Sequence, residues 1–164
     1  MPNPPRDRIF PTDSGSAKFF ASNLEEITLK PDELLMTTIR SHDQFNTTVY
    51  HENDRYRGIK GSRRVILMNE SDIAERNLKQ GEVVDITSYF EDKQRHAESF
   101  IVVKYPIPRD CCATYFPEAN VLVPLKSVAE KSNCPTSKLI KITVAPHLHN
   151  GERVFTGKFN RETR

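Results

Sequence analysis

The chain has 164 residues, a length typical of one domain, with 24 basic and 22 acidic side chains and a net charge of +2. So balanced a charge gives no general electrostatic attraction to nucleic acid or to a membrane surface. No segment approaches the run of about 18 apolar residues that a membrane-spanning helix needs, and the polar N-terminus lacks the apolar core of a signal peptide. We therefore expect a cytoplasmic protein that binds neither nucleic acid nor membrane.

The cysteines and histidines form no pattern typical of a disulfide framework or a metal site. Cys111 and Cys112 are adjacent and Cys134 stands apart, so the chain has no Cys-x-x-Cys pair. Adjacent cysteines rarely bridge, because the bond strains the peptide between them. Of the five histidines only His147 and His149 are close together, in a polar segment. We expect reduced, mostly buried thiols and no metal held by protein side chains.

Composition divides the chain into three parts. Residues 1–16 combine four prolines with charged and small residues, which predicts an extended arm. Residues 147–164 are polar, mixed in charge and contain two glycines, which predicts a flexible tail. Residues 17–146 contain most of the apolar runs and form the predicted domain.

The predicted elements of the domain begin after a short aromatic run at residues 17–21. The β-branched content of residues 34–40 (LLMTTIR) predicts a buried strand. A short apolar run at residues 64–68 predicts a second strand. Asn69 then offers a helix cap, and the apolar residues that follow it predict a short helix that ends at Gly81.

The second half of the domain also has the pattern of strands. Residues 90–93 predict a turn, and residues 124–131 predict one or two helical turns. Four more apolar runs predict strands, at residues 83–87, 98–105, 113–116 and 139–145. Many short strands with two small helices and no repeating β-α-β pattern predict a compact β-barrel.

Residues 37–48 (TTIRSHDQFNTT) hold the densest group of polar side chains. The segment begins in a predicted strand and continues into a loop of hydrogen-bond donors and acceptors, an arrangement typical of a site for a polar ligand. Arg40 can hold a phosphate, while Gln44 and Asn46 offer donors and acceptors to a heterocycle. Alternatively, the loop's side chains satisfy only their own backbone. The pattern by itself favours neither interpretation.

Residues 55–64 carry five basic side chains and no acidic one. In functional terms this segment is a nucleic-acid patch or a phosphate clamp beside the first polar loop. In structural terms it is a solvated basic loop. The near-neutral net charge of the chain favours the solvated loop.

Two further loops present polar side chains at the edges of predicted strands. In residues 115–122 (YFPEANVL) the apolar strand breaks at a proline and exposes Glu118 and Asn120, the second of which can cap the following turn. Residues 134–138 (CPTSK) place Lys138 just before the last predicted strand. Neither loop identifies a ligand by itself.

No segment carries a catalytic motif. The sequence has no glycine-rich phosphate loop, no Gly-x-Ser-x-Gly motif and no zinc motif. His42 and Asp43 are adjacent, so on a strand they would point to opposite faces and could not act as a relay. We assign no catalytic residue and expect the isolated chain to be inactive.

Taken in chain order, several of these segments resemble a single family. They are RSHDQFNT, NDRYRG, a short helix followed by LKQGEVVDITS, YFPEANVLVPL, and PTSK leading into the last strand. The chain resembles the C-terminal molybdopterin-dinucleotide-binding domain of the molybdenum oxidoreductases, the superfamily of formate dehydrogenases and dimethyl sulfoxide reductases. Within this superfamily the chain resembles the formate-dehydrogenase-like oxidoreductase alpha subunits. The resemblance covers about Thr12 to Val144.

This resemblance implies a mainly β fold with short helices, a double-psi β-barrel of the aspartate-decarboxylase-like type. It also implies a cofactor, the bis-molybdopterin guanine dinucleotide that carries molybdenum or tungsten. The residues at the positions of the family's cofactor contacts are Arg40, Ser41, His42, Gln44, Asn46, Thr47, Asn120 and Lys138.

The family's metal-ligating cysteine or selenocysteine and its iron–sulfur cysteines belong to larger upstream domains. The resemblance therefore implies partners, either upstream cofactor-binding domains or a large catalytic subunit, and a chain that is a fragment or a separate small subunit. The alternative function is that of a double-psi barrel adaptor, which binds a protein and no cofactor. A third interpretation, from the basic residues 55–64, is a nucleic-acid binder.

Overall fold

The computed structural model describes residues 2–24, 26–45, 50–91 and 93–157. Six strands close into a barrel in the order β1-β5-β2-β4-β3-β6. They are β1 (Leu34–Ile39), β2 (Val65–Met68), β3 (Val83–Phe90), β4 (Lys93–Lys104), β5 (Cys111–Tyr115) and β6 (Ile140–Pro146). The described helices are short: α1 (Glu70–Glu75) and 3-10 turns at Pro4–Asp7 and Asn120–Leu122. The predicted fold class, a mainly β protein with short helices on a small barrel, is confirmed.

Strand direction decides which loops meet at each end of the barrel. β1 is parallel to β5 and β2 is parallel to β4, while the other neighbouring pairs are antiparallel. β2 and β6 therefore begin at the end of the barrel where β1 and β5 finish. We call this end the loop end; it carries residues 40–45, 50–64, 116–122 and 138. At the opposite end, the helix end, α1 follows β2.

The core has two parts because three strands are buried on both faces. Alternate residues of all six strands point into the barrel, where the largest include Leu34, Met36, Ile66, Met68, Ile86, Phe100 and Ile142. On the outer face of β2, β4 and β5 a second cluster packs under Ile59 and includes Val65, Leu67, Ile101, Val103 and Tyr115. This double burial explains why β2 has the unbroken apolar sequence VILM.

The predicted start of the first helix is confirmed. The side chain of Asn69 accepts a hydrogen bond from the Ser71 backbone N–H (2.9 Å) and donates one to the Ile107 carbonyl (2.7 Å). The helix ends at Glu75, earlier than the predicted stop at Gly81.

The predicted helical turns at residues 124–131 are wrong. This segment instead folds back on the chain that follows it. The Ala129 N–H donates to Cys134 (2.8 Å), and the Thr136 N–H donates to Ser127 (2.9 Å). Backbone groups that make these hydrogen bonds are not available for the hydrogen bonds of a helix.

The C-terminal segment is more structured than a flexible tail over its described part. Strands β7 (Leu148–His149) and β8 (Glu152–Arg153) form a small hairpin. The Val83 N–H donates to the Val154 carbonyl (2.8 Å), and the His147 N–H donates to the Val83 carbonyl (2.9 Å). The hairpin therefore satisfies backbone groups at the start of β3 that a composition argument does not reveal. Residues 158–164 lie outside the described residues.

The N-terminal segment contributes no strand in its described part. Of the predicted extended arm, residues 4–7 form a 3-10 turn and the rest is irregular. The aromatic run at residues 17–21 leaves Phe19 and Phe20 exposed, and Leu24 is exposed as well. The core of the barrel thus begins only at β1.

The three cysteines are free thiols, as predicted. Cys112 lies in the barrel interior, where burial raises the pKa of its thiol. Cys134 is exposed, which differs from the expectation of mostly buried thiols. Among the described residues no helix has the length and apolar content required to cross a membrane.

Candidate functional site

Three segments that are distant in sequence meet at the loop end. In the parallel register of β1 and β5 Ile39 pairs with Tyr115, and the Phe116 N–H donates to the Ile39 carbonyl (2.7 Å). The loops that follow these two strands therefore leave the barrel side by side. Lys138, just before β6, donates from Nζ to the carbonyl of Thr38. The positions predicted after β1, after β5 and before β6 thus share one end of the barrel.

Arg63 occupies the centre of the loop end, and its side chain is only 7% exposed. Its Nε donates to Glu118 Oε1 (2.7 Å) in an ion pair. Its Nη1 donates to Ser41 Oγ (2.7 Å), and its Nη2 donates to the Phe116 carbonyl (2.7 Å) and to Gln44 Oε1 (3.2 Å). One guanidinium group therefore ties the loop after β1 to the loop after β5.

Two aromatic rings and a third segment complete the surroundings of this guanidinium group. The Arg63 Cζ lies 5.1 Å from the ring centroid of Tyr50 and 4.9 Å from that of Tyr115, distances typical of cation–π contacts. Nη1 also reaches the His51 carbonyl (3.5 Å). The interpretation of residues 55–64 as a solvated basic loop is therefore wrong for Arg63.

Asp54 forms a second buried polar centre at the same end and is 1% exposed. Its Oδ2 accepts hydrogen bonds from the Tyr115 hydroxyl (2.8 Å) and from Arg57 Nη1 (2.6 Å). Burial is the largest single influence and raises the pKa of Asp54. The hydrogen bonds from Tyr115 and Arg57, together with the positive charge of Arg57, outweigh burial and hold the pKa below its ordinary value. Arg57 also donates to the Arg40 carbonyl (3.3 Å), so the ionised Asp54 helps to fix the start of the predicted binding loop.

Burial and the bond to Asp54 act together on Tyr115. Burial is the larger cause that raises the pKa of the Tyr115 phenol, and the hydrogen bond to Asp54 raises it further. The phenol therefore stays protonated and remains a donor at any ordinary pH.

The predicted binding residues that the structure describes fall into three groups. Ser41 and Gln44 already direct their side-chain oxygens at Arg63. Arg40 and Asn120 are exposed, and within the described part of the chain their side chains have no hydrogen-bond partner. Asn120 starts the 3-10 turn, but its side chain does not cap it.

His42 and Lys138 are exposed but already in contact with protein groups. The His42 ring lies 3.9 Å, centroid to centroid, from the ring of Tyr56 at an angle of 45°. Lys138 contacts the backbone and hydroxyl of Thr38. The predicted residues Asn46 and Thr47 lie outside the described residues.

The charges at the loop end leave an excess of positive charge. Three of the four described carboxylates there have an arginine partner, in the pairs Asp43–Arg55 (3.8 Å), Asp54–Arg57 (2.6 Å) and Glu118–Arg63 (2.7 Å), and the fourth, Glu52, is exposed. Within the described ranges Arg40 and Lys138 have no acidic partner. The described residues contain no cluster of three or more His, Cys, Asp or Glu side chains that would hold a metal ion. The excess of positive charge makes the loop end suitable for an anionic ligand.

Comparison with known proteins agrees with this chemistry. Residues 34–141 match the family described as "Molydopterin dinucleotide binding domain". The chain belongs to this family. The matched range runs from the first residue of β1 into β6, and it includes Arg40, Arg63, Asn120 and Lys138. The resemblance recognised in the sequence is confirmed.

Curated relatives of this family member are much longer proteins. Uncharacterized oxidoreductases of Mycobacterium tuberculosis and Mycobacterium bovis are 45% identical over 152 residues, which is 89% of this chain and 20% of theirs. The protein YdeP of Escherichia coli is 35% identical over 150 residues, which is 88% of this chain and 20% of YdeP. The chain thus spans about a fifth of the length of these relatives.

Proposed function

We propose that this barrel binds a molybdopterin guanine dinucleotide through its loop end, as the cofactor-binding domain or small subunit of a formate-dehydrogenase-like oxidoreductase. The observation that carries the proposal is the meeting of Arg40, Asn120 and Lys138 at one positively charged end of a barrel whose family binds this class of cofactor.

The donor set fits the chemistry of a dinucleotide. Its diphosphate carries about two negative charges and is best held by cations and N–H donors, which Arg40 and Lys138 supply. Its heterocycles need groups that both donate and accept, which the amide of Asn120 and the ring of His42 supply. Asn46 and Thr47 remain proposed contacts from the sequence.

An unsatisfied acceptor also supports a ligand at this end. Glu118 Oε2 is buried and finds no hydrogen-bond partner among the described residues, whereas Oε1 is bound by Arg63. A buried acceptor without a partner costs about 1–3 kcal/mol. An N–H donor on a heterocycle of the cofactor would remove that cost.

When bound, the cofactor would supply the redox chemistry through its molybdenum or tungsten, which the protein side chains of this barrel do not ligate. The residues of this chain would hold and orient it. Arg40 and Lys138 would neutralise the diphosphate, and Asn120 would set the orientation of a ring. Substrate oxidation would need the rest of the protein, so we expect the purified chain not to oxidise formate.

The length of the relatives supports a partner that provides the remaining cofactor contacts. The exposed apolar side chains Phe19, Phe20 and Leu24 support a protein contact near the N-terminus. These side chains would also suit the alternative function, an adaptor that binds a protein and no cofactor. We keep a cytoplasmic location as a prediction.

Calorimetric titration with guanosine diphosphate, which carries the guanine and the diphosphate of the cofactor, tests the proposal. Wild-type protein should bind it more tightly than cytidine or adenosine diphosphate. The variants R40Q and K138Q should each weaken binding about tenfold, as expected for loss of a charged hydrogen bond. The matched control K79Q removes an exposed lysine near the helix end and should bind normally. Absence of binding to the wild type would favour the adaptor.

A further inference from the structure

Arg63 connects three stretches of chain that no strand pairing holds together. Its donors reach Ser41 and Gln44 in the loop after β1, His51 in the next segment, and Phe116 and Glu118 in the loop after β5. The two loops that carry Arg40 and Asn120 are therefore joined through one side chain. β2, which follows Arg63, is itself held in the barrel by β4 and β5.

We infer that Arg63 is a positioning residue for the cofactor: it sets the spacing between the two loops that carry the binding side chains. The inference rests on the proposed function of the loop end. It also assigns new roles to Ser41 and Gln44, which act on the cofactor through Arg63. Their oxygens are acceptors for the guanidinium group, so both side chains brace the site.

The contacts require an arginine and not merely a positive charge. Nε, Nη1 and Nη2 each donate to a different acceptor, and the planar group also lies against the rings of Tyr50 and Tyr115. Lysine has the same charge but a single ammonium group without a fixed fork, so it cannot reach the same set of acceptors. Arg63→Lys therefore keeps the positive charge and removes the set of hydrogen bonds that the guanidinium group makes.

The bracing acts on loops and not on the barrel core. The five acceptors of Arg63 all lie outside the barrel strands, in residues 41–51 and 116–118. Loss of the guanidinium group would leave the carbonyls of Phe116 and His51 without this donor and would allow the loops to separate. The barrel strands would keep their backbone hydrogen bonds to one another.

The experiment compares R63K with R64K, a neighbouring arginine whose guanidinium group instead donates to the Glu98 carbonyl. Two quantities are measured for each variant and for the wild type: the dissociation constant for guanosine diphosphate and amide hydrogen exchange, residue by residue. We expect R63K to weaken binding about tenfold and to speed exchange at residues 41–45 and 116–119 by a similar factor. Exchange in β1 to β6 should stay the same, and R64K should resemble the wild type in both measurements.

The outcomes separate this inference from the proposed function. If R63K binds as tightly as the wild type while its loops exchange faster, Arg63 is structural only and the positioning role is overturned. If the loops do not exchange faster, the bracing itself is overturned. If the wild type does not bind, the proposed function fails and the positioning role fails with it. Rescue of R63G binding by added guanidinium ion, without rescue by ammonium ion, would support the requirement for the fork.

Discussion

The two ends of the barrel differ in the balance of their buried charges. At the loop end the most buried cation is Arg63, which binds the Phe116 carbonyl and pairs with Glu118. The half-buried Arg57 binds the Arg40 carbonyl and pairs with the buried Asp54. At the helix end, buried carboxylates bind backbone N–H groups. These pairs are Asp72 with Asp110 (2.8 Å), Glu82 with Lys79 (2.8 Å) and Glu33 with Lys30 (2.9 Å).

This difference gives the barrel an electrical polarity. The carboxylates of the helix end are paired with cations that are largely exposed, since Arg109 is 54% and Arg153 is 41% exposed. The loop end instead buries its central cation and leaves Arg40 and Lys138 without acidic partners in the described chain. An anionic ligand is therefore favoured at the loop end and disfavoured at the helix end. The same polarity makes changes at the helix end natural controls, because they should alter stability without altering ligand binding.

The largest effect is expected for Arg63→Met at the loop end. It removes the partner of Glu118 and should lower the free energy of unfolding by about 3–5 kcal/mol, as when one member of a buried ion pair is lost. Urea denaturation measures this loss. The double variant R63M/E118M removes both charges and should recover part of it. A loss below about 1 kcal/mol in R63M would show that the pair contributes little.

A smaller effect is expected for Asp72→Ala at the helix end. Asp72 is 0% exposed, accepts the Asp110 N–H and lies 3.5 Å from Arg109 Nε. Removing this charged hydrogen bond should cost about 1.5–3 kcal/mol in urea denaturation. Binding of guanosine diphosphate should not change. Weakened binding in a folded D72A protein would contradict the claim that the ligand binds at the loop end and that the helix end contributes only to stability.

Acid should weaken the loop end through Asp54. Its folded-state pKa lies below the ordinary value of about 3.9, so its contribution to stability is complete above pH 4 and is lost as the pH falls through the folded-state pKa. Asp54→Asn should therefore be less stable than the wild type at pH 7, and the difference should shrink below pH 4. The control D43N alters an exposed, longer ion pair (3.8 Å) and should cost less stability at pH 7 than D54N does. A difference between D54N and wild type that is constant with pH would refute this account.

The apolar pattern of the sequence predicts the six barrel strands and the cap of α1, although not the hairpin of β7 and β8. Register then brings Arg40, Asn120 and Lys138 together, because parallel β1 and β5 finish at one end and antiparallel β6 begins there. The positions of the strands along the sequence do not show which strands pair, so they cannot predict that these three side chains lie at one end. The family resemblance was the reason to expect them to lie together.

Arg63 was missed for a physical reason. Alternation places it on the same side as Val65 and Leu67, whereas its neighbour Arg64 is exposed, with its Cζ 5.6 Å from the centroid of the Phe100 ring. That periodicity was a usable signal. The periodicity was insufficient to predict that Arg63 is buried, because the outer face of a barrel strand is usually exposed to water. Here the packing of residues 50–61 over the outer face buries it. The hairpin of β7 and β8 was also not predicted. Its position depends on hydrogen bonds to backbone groups of β3, which composition does not reveal.

The most direct test of the polarity is the location of a bound anionic nucleotide. Nuclear magnetic resonance spectra of the isotopically labelled chain, recorded during titration with guanosine diphosphate, report that location residue by residue. The account predicts that shifts concentrate at Arg40, His42, Asn120 and Lys138, and that Asp72, Arg109 and Arg153 stay unchanged. Shifts concentrated at the helix end, or spread evenly over the barrel, would contradict it.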